Sequence, residues 1–575
     1  MIDIMKKFIY FVISILLFSS CSDFLEKTPL DSPSDKTFLA NETEIEMAVA
    51  GCYTNLWPGL EGIPFFLVFE VLSDNGWDRN TSDVQKLSQG ANDAQSSFVQ
   101  TVWGTCYSGI SRCNYLINNL SKVEGIVSAD ILARAKAEAQ FLRAYYYAYL
   151  VDLFGDVPLV LETITLGNAE IPRSPKEEVL NQIFKDYDDA AAVLGTGNKP
   201  TSGRPTRQAA LALKARAALY NEKWDVAIAA ASEVMKLEGS EVILDPSYPN
   251  LFTYEGQDSK EILFSIQYLF GYQVHPIFRL FGGRNGGGHA NKVPSYQLVD
   301  SYGCIDGRAI DESPLYNPAK PWDNRDPRLA WSFALPSSGY SDWQNEPGCI
   351  FQGFQFETHR DSVKCWNYHT SPASYADNQD ALNAYASFTG INWRKYVNDR
   401  NYGDVNNCDN NIIVIRYAEV LLIYAEAKVK AGQADASVYA ALNKIRARAG
   451  VPAITETSAD ELFYAIARER RHELSGEGQR LSDIRRWKIA EKVMNGFLLG
   501  RMQKSYPTKA PVIDEWGTPD YNAAGIPIAS DVNDPNTSMR TVDKRVFNPN
   551  KDYLWPIPYI ERKTNPSLTQ NPNWE

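Results

Sequence analysis

The chain has 575 residues, a formal net charge of -13 and a pI near 5.1. A length so far above a minimal domain supports a large core or several packed layers. The acidic balance argues against a nucleic-acid binder, which carries a basic face, and against a strongly anionic ligand, so a neutral ligand fits better. Thirteen Trp and 31 Tyr supply flat amphipathic rings of the kind a sugar-binding surface needs, although most must fill the core.

At the N-terminus, Lys6-Lys7 precede an apolar run from Phe8 to Phe18 that meets Ser19-Ser20-Cys21. The run is about half of the roughly 20 residues a membrane span needs, so residues 1–20 are predicted to be a signal peptide. A cysteine after small residues is where bacterial lipoproteins are cleaved and acylated. Cys21 is therefore the predicted lipidation site, with Phe18 standing where Leu is usual. Several acyl chains, at about 0.8 kcal/mol per buried CH₂, would anchor the chain from Cys21 onward. No other stretch reads as a membrane span. The seven other cysteines leave at least one free thiol. Cys106 and Cys113 look helical and about 10 Å apart along the axis, too far for a bridge. Cys349 with Cys365 is the candidate pair, and the lack of Cys-x-x-Cys argues against structural zinc.

From Ala137 to Val160, Leu142, Tyr145, Tyr146, Tyr149 and Leu153 fall at three- and four-residue steps, predicting a buried helix that stops at Gly155 with Pro158 beyond. Tyr145, Tyr146 and Tyr147 read as core, since successive helical residues cannot form one platform. Between Thr206 and Leu237 two apolar faces flank Asn221-Glu222-Lys223, which predicts a helix hairpin. From Tyr268 to Asn411 periodicity fades and Gly, Pro, Asn and aromatics rise, predicting loops with short strands. So long a segment in a compact protein reads as a functional elaboration packed on the helices. A second hairpin is predicted from Ile415 to Ala449, and a further helix opens at the capping box Ser458–Glu461 and runs towards Arg471. Alanine-rich pairs of this length fit a tetratricopeptide-like stack or an ordinary helical bundle equally.

A set of segments then becomes specific. CSDFLEKTP opens at Cys21, CYTNLW at Cys52, ISRCNYLINNL at Ile110 and RAYYYAYLVDLFGDVPLV at Arg143. PSYQLVDSYGCIDGR begins at Pro294 and RDPRL at Arg325; IRYAEVLLIYAEAKVKAG begins at Ile415 and RERRHELSGEGQRLSDIRRW at Arg468, with YLWPIP and NPNW at the end. In this order they resemble the SusD/RagB family of surface lipoproteins over nearly the whole chain. The resemblance implies a mainly α fold: a tetratricopeptide-like helical-hairpin scaffold over about residues 40–265 and 412–500, a loop-rich ligand region over about 268–411, and an extended C-terminal segment over about 501–575. It implies outer-membrane localisation facing the cell exterior. It also implies partnership with a SusC-like TonB-dependent transporter, over whose mouth the protein closes as a lid. The acidic run that follows the lipid cysteine in some relatives is reduced here to Asp23.

No catalytic motif stands out: there is neither a Gly-x-Ser-x-Gly elbow nor His-Glu-x-x-His, and the five histidines read as structural or solvated. Gly282–Gly288 lacks the ending of a phosphate loop and reads as a flexible loop bordering the ligand face. The alternating charges of Arg468–Glu473 read as salt bridges along a helix, and Arg471 as distant from the ligand. Loop aromatics beside polar groups are the candidate sugar contacts, the ring stacking on the apolar sugar face while Asp, Asn and Arg meet hydroxyls. They are Trp77 with Asp74 and Asn75, Trp322 with Asn324, and Trp343, Trp366, Trp393 and Tyr396; packing within loops is the competing reading for each. The expected function is binding of oligo- or polysaccharide without chemistry. Peptide binding by the same architecture and a surface glycosidase are the alternatives. No cofactor is implied, and Asp404–Asp409 reads as either plain turns or a calcium loop.

Overall fold

The computed structural model describes residues 38–574 except 58, 81, 166, 198–199, 336–337, 340–349, 352–353, 356–359, 362–363, 368–373, 378, 384–385, 387–388, 503–504 and 530–536. The signal peptide, Cys21, Trp343 and the Cys349–Cys365 pairing thus lie outside the described residues, and Trp366 is described only as strand backbone.

The fold is mainly α. Its N-terminal block contains α1 (Glu42–Tyr53), α2 (Ser97–Asn119), α3 (Ala129–Phe154), α4 (Lys176–Val193), α5 (Arg207–Tyr220) and α6 (Trp224–Met235). Side-chain caps start four of them, with Asn41, Ser96, Ser128 and Thr206 each accepting from a backbone N–H of the first turn. The predicted stop of α3 holds: Gly155 takes φ 74°, a conformation that favours glycine. Its start lies eight residues before Ala137, because residues 129–136 are mostly exposed and carry little apolar periodicity.

From Ala137 to Tyr147 helix α3 is covered on all sides, which is why Tyr145, Tyr146 and Tyr147 are all buried. Tyr146 bonds the Cys52 carbonyl at 3.0 Å, and Tyr147 both donates to and accepts from Val160 at 3.0 and 2.7 Å. Gly109 on α2 makes room for the Tyr146 ring, since a Cβ there would sit 2.3 Å from it. Cys52, Cys106 and Cys113 are buried free thiols in the same layer.

The C-terminal block pairs α7 (Tyr417–Lys430) with α8 (Ala436–Ala449), which ends on Gly450 at φ 75°, and adds α9 (Ala459–Leu474) and α10 (Arg480–Arg486). Ser458 caps α9 by accepting from Glu461 N at 3.2 Å. Every sheet among the described residues is an antiparallel pair of strands. The pairs used below join β1 (Gly76–Asp78) with β3 (Lys292–Pro294), β2 (Ile262–Ile266) with β6 (Ile412–Arg416), and β4 (Phe333–Ala334) with β5 (Asn392–Trp393). The β2–β6 ribbon, buried along its whole length, ties the ends of the two helical blocks together. Among the described residues, the region between β2 and β6 has the short strands predicted and, beyond that prediction, several short helices, and it sends Phe278, Phe281, Phe333 and Trp393 into the same core as the long helices.

The segment Arg468–Arg486 refines the sequence reading. Its charges do form salt bridges, but most of them are buried and bridge to other elements instead of pairing along one helix. Arg416, at the end of β6, reaches Glu261 at 2.8 Å, Glu473 at 2.6 Å and Glu477 at 2.8 Å with its side chain fully covered. Glu473 also pairs with Arg448 and with Arg328, the latter at 3.2 Å. Arg470 meets Asp483 at 3.0 Å. Burial alone would raise the Glu473 carboxyl; the surrounding arginines outweigh it and hold the group well below the usual carboxylate range.

Candidate functional site

Of the residues predicted to meet ligand, those at 74–77 are internal. Asp74 takes two bonds from Arg480 at 2.8 and 2.9 Å and pairs with Arg471 at 2.9 Å. Burial pushes its carboxyl up, and the two guanidiniums override that to hold it at about 2. Asn75 donates to Glu70 at 2.8 Å and accepts from Arg471 at 2.9 Å. Trp77 sits on β1 opposite Val293 and packs against Ala290 and Leu498, with 6% of its surface exposed. Polar groups next to an aromatic ring here form a buried joint between the N-terminal loops and α9. Arg471, read as distant, is at its centre.

Trp393 is buried against Phe333 and Phe281, with ring centroids 5.3 and 6.2 Å away. Tyr396 is fully buried at φ 65° and lies edge-on to Phe252 at 5.1 Å. Trp322 is half-buried against the main core, whereas Asn324 is exposed at φ 57° and donates to the Leu315 carbonyl at 3.3 Å. The strand holding Trp366 pairs that residue with Tyr375. Gly282–Gly288 is no empty anion cradle: the N–H groups of Arg284 and Asn285 donate to Asp380 at 2.8 and 3.1 Å.

The two most exposed aromatic residues among the described ones lie at the start of the predicted ligand region, outside the predicted site residues. Leu269, Phe270 and Tyr272 are 58%, 60% and 86% exposed on a tight turn whose tip, Gly271, takes φ 84°. The turn is pinned from beneath. Leu269 and Gln273 exchange bonds across its neck at 2.9 and 3.0 Å. Phe270 N donates to Asp409 at 3.2 Å and Tyr268 N to Asn411 at 3.0 Å. His275 pairs with Cys408 in both directions and contacts the Asn410 carbonyl through Nε2 at 2.8 Å. Burial lowers the His275 pKa to about 4, so the ring is neutral near neutral pH and Nε2 carries the donated proton. Asp404, in the same loop, accepts from Asn407 at 2.7 Å. Around the base, Arg400 lies over the Tyr254 ring at 4.2 Å and the Tyr254 hydroxyl donates to Asn401 at 3.0 Å. Large rings held rigidly in water beside charged and amide groups offer an apolar face and in-plane hydrogen-bonding partners together. The signal that could have found them was Leu269-Phe270-Gly271-Tyr272 itself, bulky residues around a turn glycine in a stretch without helical or strand periodicity.

Residues 240–574 match the model of the SusD family. The chain belongs to that family. Residues 23–219 match a second model, described as starch-binding associating with outer membrane. A SusD-like protein P2 of Formosa agariphila is 26% identical over 516 residues, covering 85% of this chain and 92% of that protein. The starch-binding protein SusD of Bacteroides thetaiotaomicron is 25% identical over 471 residues, 76% of this chain and 80% of that one. The crystal structure of a SusD-like carbohydrate binding protein from Bacteroides fragilis superposes with a TM-score of 0.75 at 28% identity, over 92% of this chain and 99% of that one. No helix among the described residues is long and apolar enough to cross a membrane.

Proposed function

We propose that this chain is a lipid-anchored, non-catalytic member of its family that binds oligo- or polysaccharide at the cell surface and passes it to a TonB-dependent outer-membrane transporter. The observation that carries the reading is the pinned turn of Phe270 and Tyr272, whose exposed rings match the apolar face of a sugar while Asp409 and Arg400 lie at its base. The names of two similar proteins, one starch-binding and one carbohydrate binding, support it. The sequence Ser19-Ser20-Cys21 supports the anchor. The test is affinity-gel electrophoresis of the mature protein through a panel of polysaccharides. Retardation by at least one of them, relieved in Phe270→Ala and Tyr272→Ala, is expected; normal retardation of both variants would move the site elsewhere. Cys21→Ala is expected to release the protein from membranes or leave uncleaved precursor. A wild-type protein that shortened its oligosaccharide would make it a glycosidase instead.

A further inference from the structure

A cavity of about 530 Å³ opens between the loop 301–312, the connection from α8 to α9, the face of α9 and residues 513–515. That volume is within the range of small-ligand sites. No residue predicted to contact ligand lines it, and neither does any Trp, Tyr or Phe, so its chemistry differs from that of the aromatic turn. Most of its charges are spent internally. Glu469 takes Arg446 at 2.9 Å, Glu456 takes Arg468 at 3.4 Å, and Asp514 takes Lys492 at 2.9 Å.

What remains for a visitor is a short set of mixed sign. The side chains of Arg308 and Glu312, both exposed, make no hydrogen bond or direct ion pair among the described residues, and Glu312 acts on Arg468 across the cleft only through its charge. Arg446 donates through Nε to the Pro452 carbonyl at 2.5 Å and through Nη1 to Glu469, leaving Nη2 without an acceptor among the described residues. Gly307 holds the rim open beside that nitrogen: at φ 82°, a Cβ there would lie 3.2 Å from Nη2 and 3.3 Å from Pro452. A phosphate would satisfy the guanidiniums and confront Glu312; an ammonium group would do the reverse. Neighbouring hydroxyls, each both donor and acceptor, satisfy both.

We propose that this cleft is a second saccharide site, resting on the glycan-binding reading above, which holds a short neutral saccharide by its hydroxyl edge. The turn of Phe270 and Tyr272 instead grips a longer chain by ring stacking. The probe is the pool of short oligosaccharides released by partial hydrolysis from whichever polysaccharide retards the wild type, titrated calorimetrically into the full mature protein in detergent. Arg308→Ala and Glu312→Gln are each expected to weaken binding of the short oligosaccharides at least fivefold while gel retardation by the parent polysaccharide stays within twofold of wild type. Tyr272→Ala is expected to show the converse. Ala309→Trp, which fills the cleft without removing a charge, should abolish the calorimetric signal with melting unchanged. Short-oligosaccharide binding at wild-type strength in all three cleft variants overturns this proposal and leaves the glycan-binding reading standing. A wild type that neither is retarded by any polysaccharide nor binds any short saccharide overturns both.

Discussion

The segment Arg468–Arg486 and the turn Leu269–Tyr272 reverse the ordinary placing of side chains. The first is among the most highly charged stretches of the chain and is almost wholly buried; the second is apolar and aromatic and stands in water. The difference lies in partners. Most of the buried charges meet an opposite charge, as Glu473 does with Arg416 and Arg328 and Arg470 with Asp483, whereas the turn is satisfied along its backbone and leaves its rings uncovered. Burial follows the availability of a matching group as much as the polarity of the residue.

This contrast can be broken at several points. Glu473→Ala leaves Arg416, Arg448 and Arg328 short of a counter-charge and should cost about 3–5 kcal/mol, read by chemical denaturation; a loss below about 1 kcal/mol would mean the network adjusts around the gap. Trp77→Ala should cost a similar amount, about 3–5 kcal/mol, as a large buried ring is removed. Glycan retention by the folded fraction should stay as in wild type, opposite to what a ligand-contacting ring would do. Acid sharpens the comparison. His275 is neutral in the fold with a pKa of about 4, against 6.5 in its absence, so the unfolded chain binds the extra proton between those values. Stability should fall on acidification from pH 6.5 to 4, by on the order of 3 kcal/mol from this residue, and His275→Gln should flatten the melting curve's pH dependence there. Gly109→Val drives two methyl groups into the Tyr146 ring and should cost about 1–3 kcal/mol; an unchanged melting temperature would show that α2 and α3 are not tightly apposed. Smallest of all, Tyr272→Ala should leave stability within about 0.5 kcal/mol while lowering polysaccharide binding about fivefold or more.

The helices were legible because their signals are local. Thr206, Asn221-Glu222-Lys223, Gly155, Gly450 and Ser458 mark starts, turns and stops through bonds spanning four residues or fewer. The family was legible from ordered segments spread across the chain. The site was not, since Asp74-Asn75-Gly76-Trp77 has the same composition whether it meets a sugar or Arg471 and Arg480, and only contacts about 400 positions away in sequence decide between them. Trp393 was misjudged for a related reason: an irregular segment without periodicity still buries its rings when a neighbour such as Phe333 lies across a two-residue ribbon.

Near the other end of the chain, Trp555 donates its amide to the Leu153 carbonyl at 2.8 Å and sets its ring among Phe69, Phe98 and Phe154. The wall of the N-terminal layer is therefore completed by a residue made long after the helices it covers. A chain that emerges N-terminus first carries those phenylalanines without this cover for 401 to 486 residues of elongation, and local contacts alone cannot close the gap. Its order of assembly runs against its order of synthesis: helices made early wait for a segment made much later, and the first layer stays open until that segment arrives.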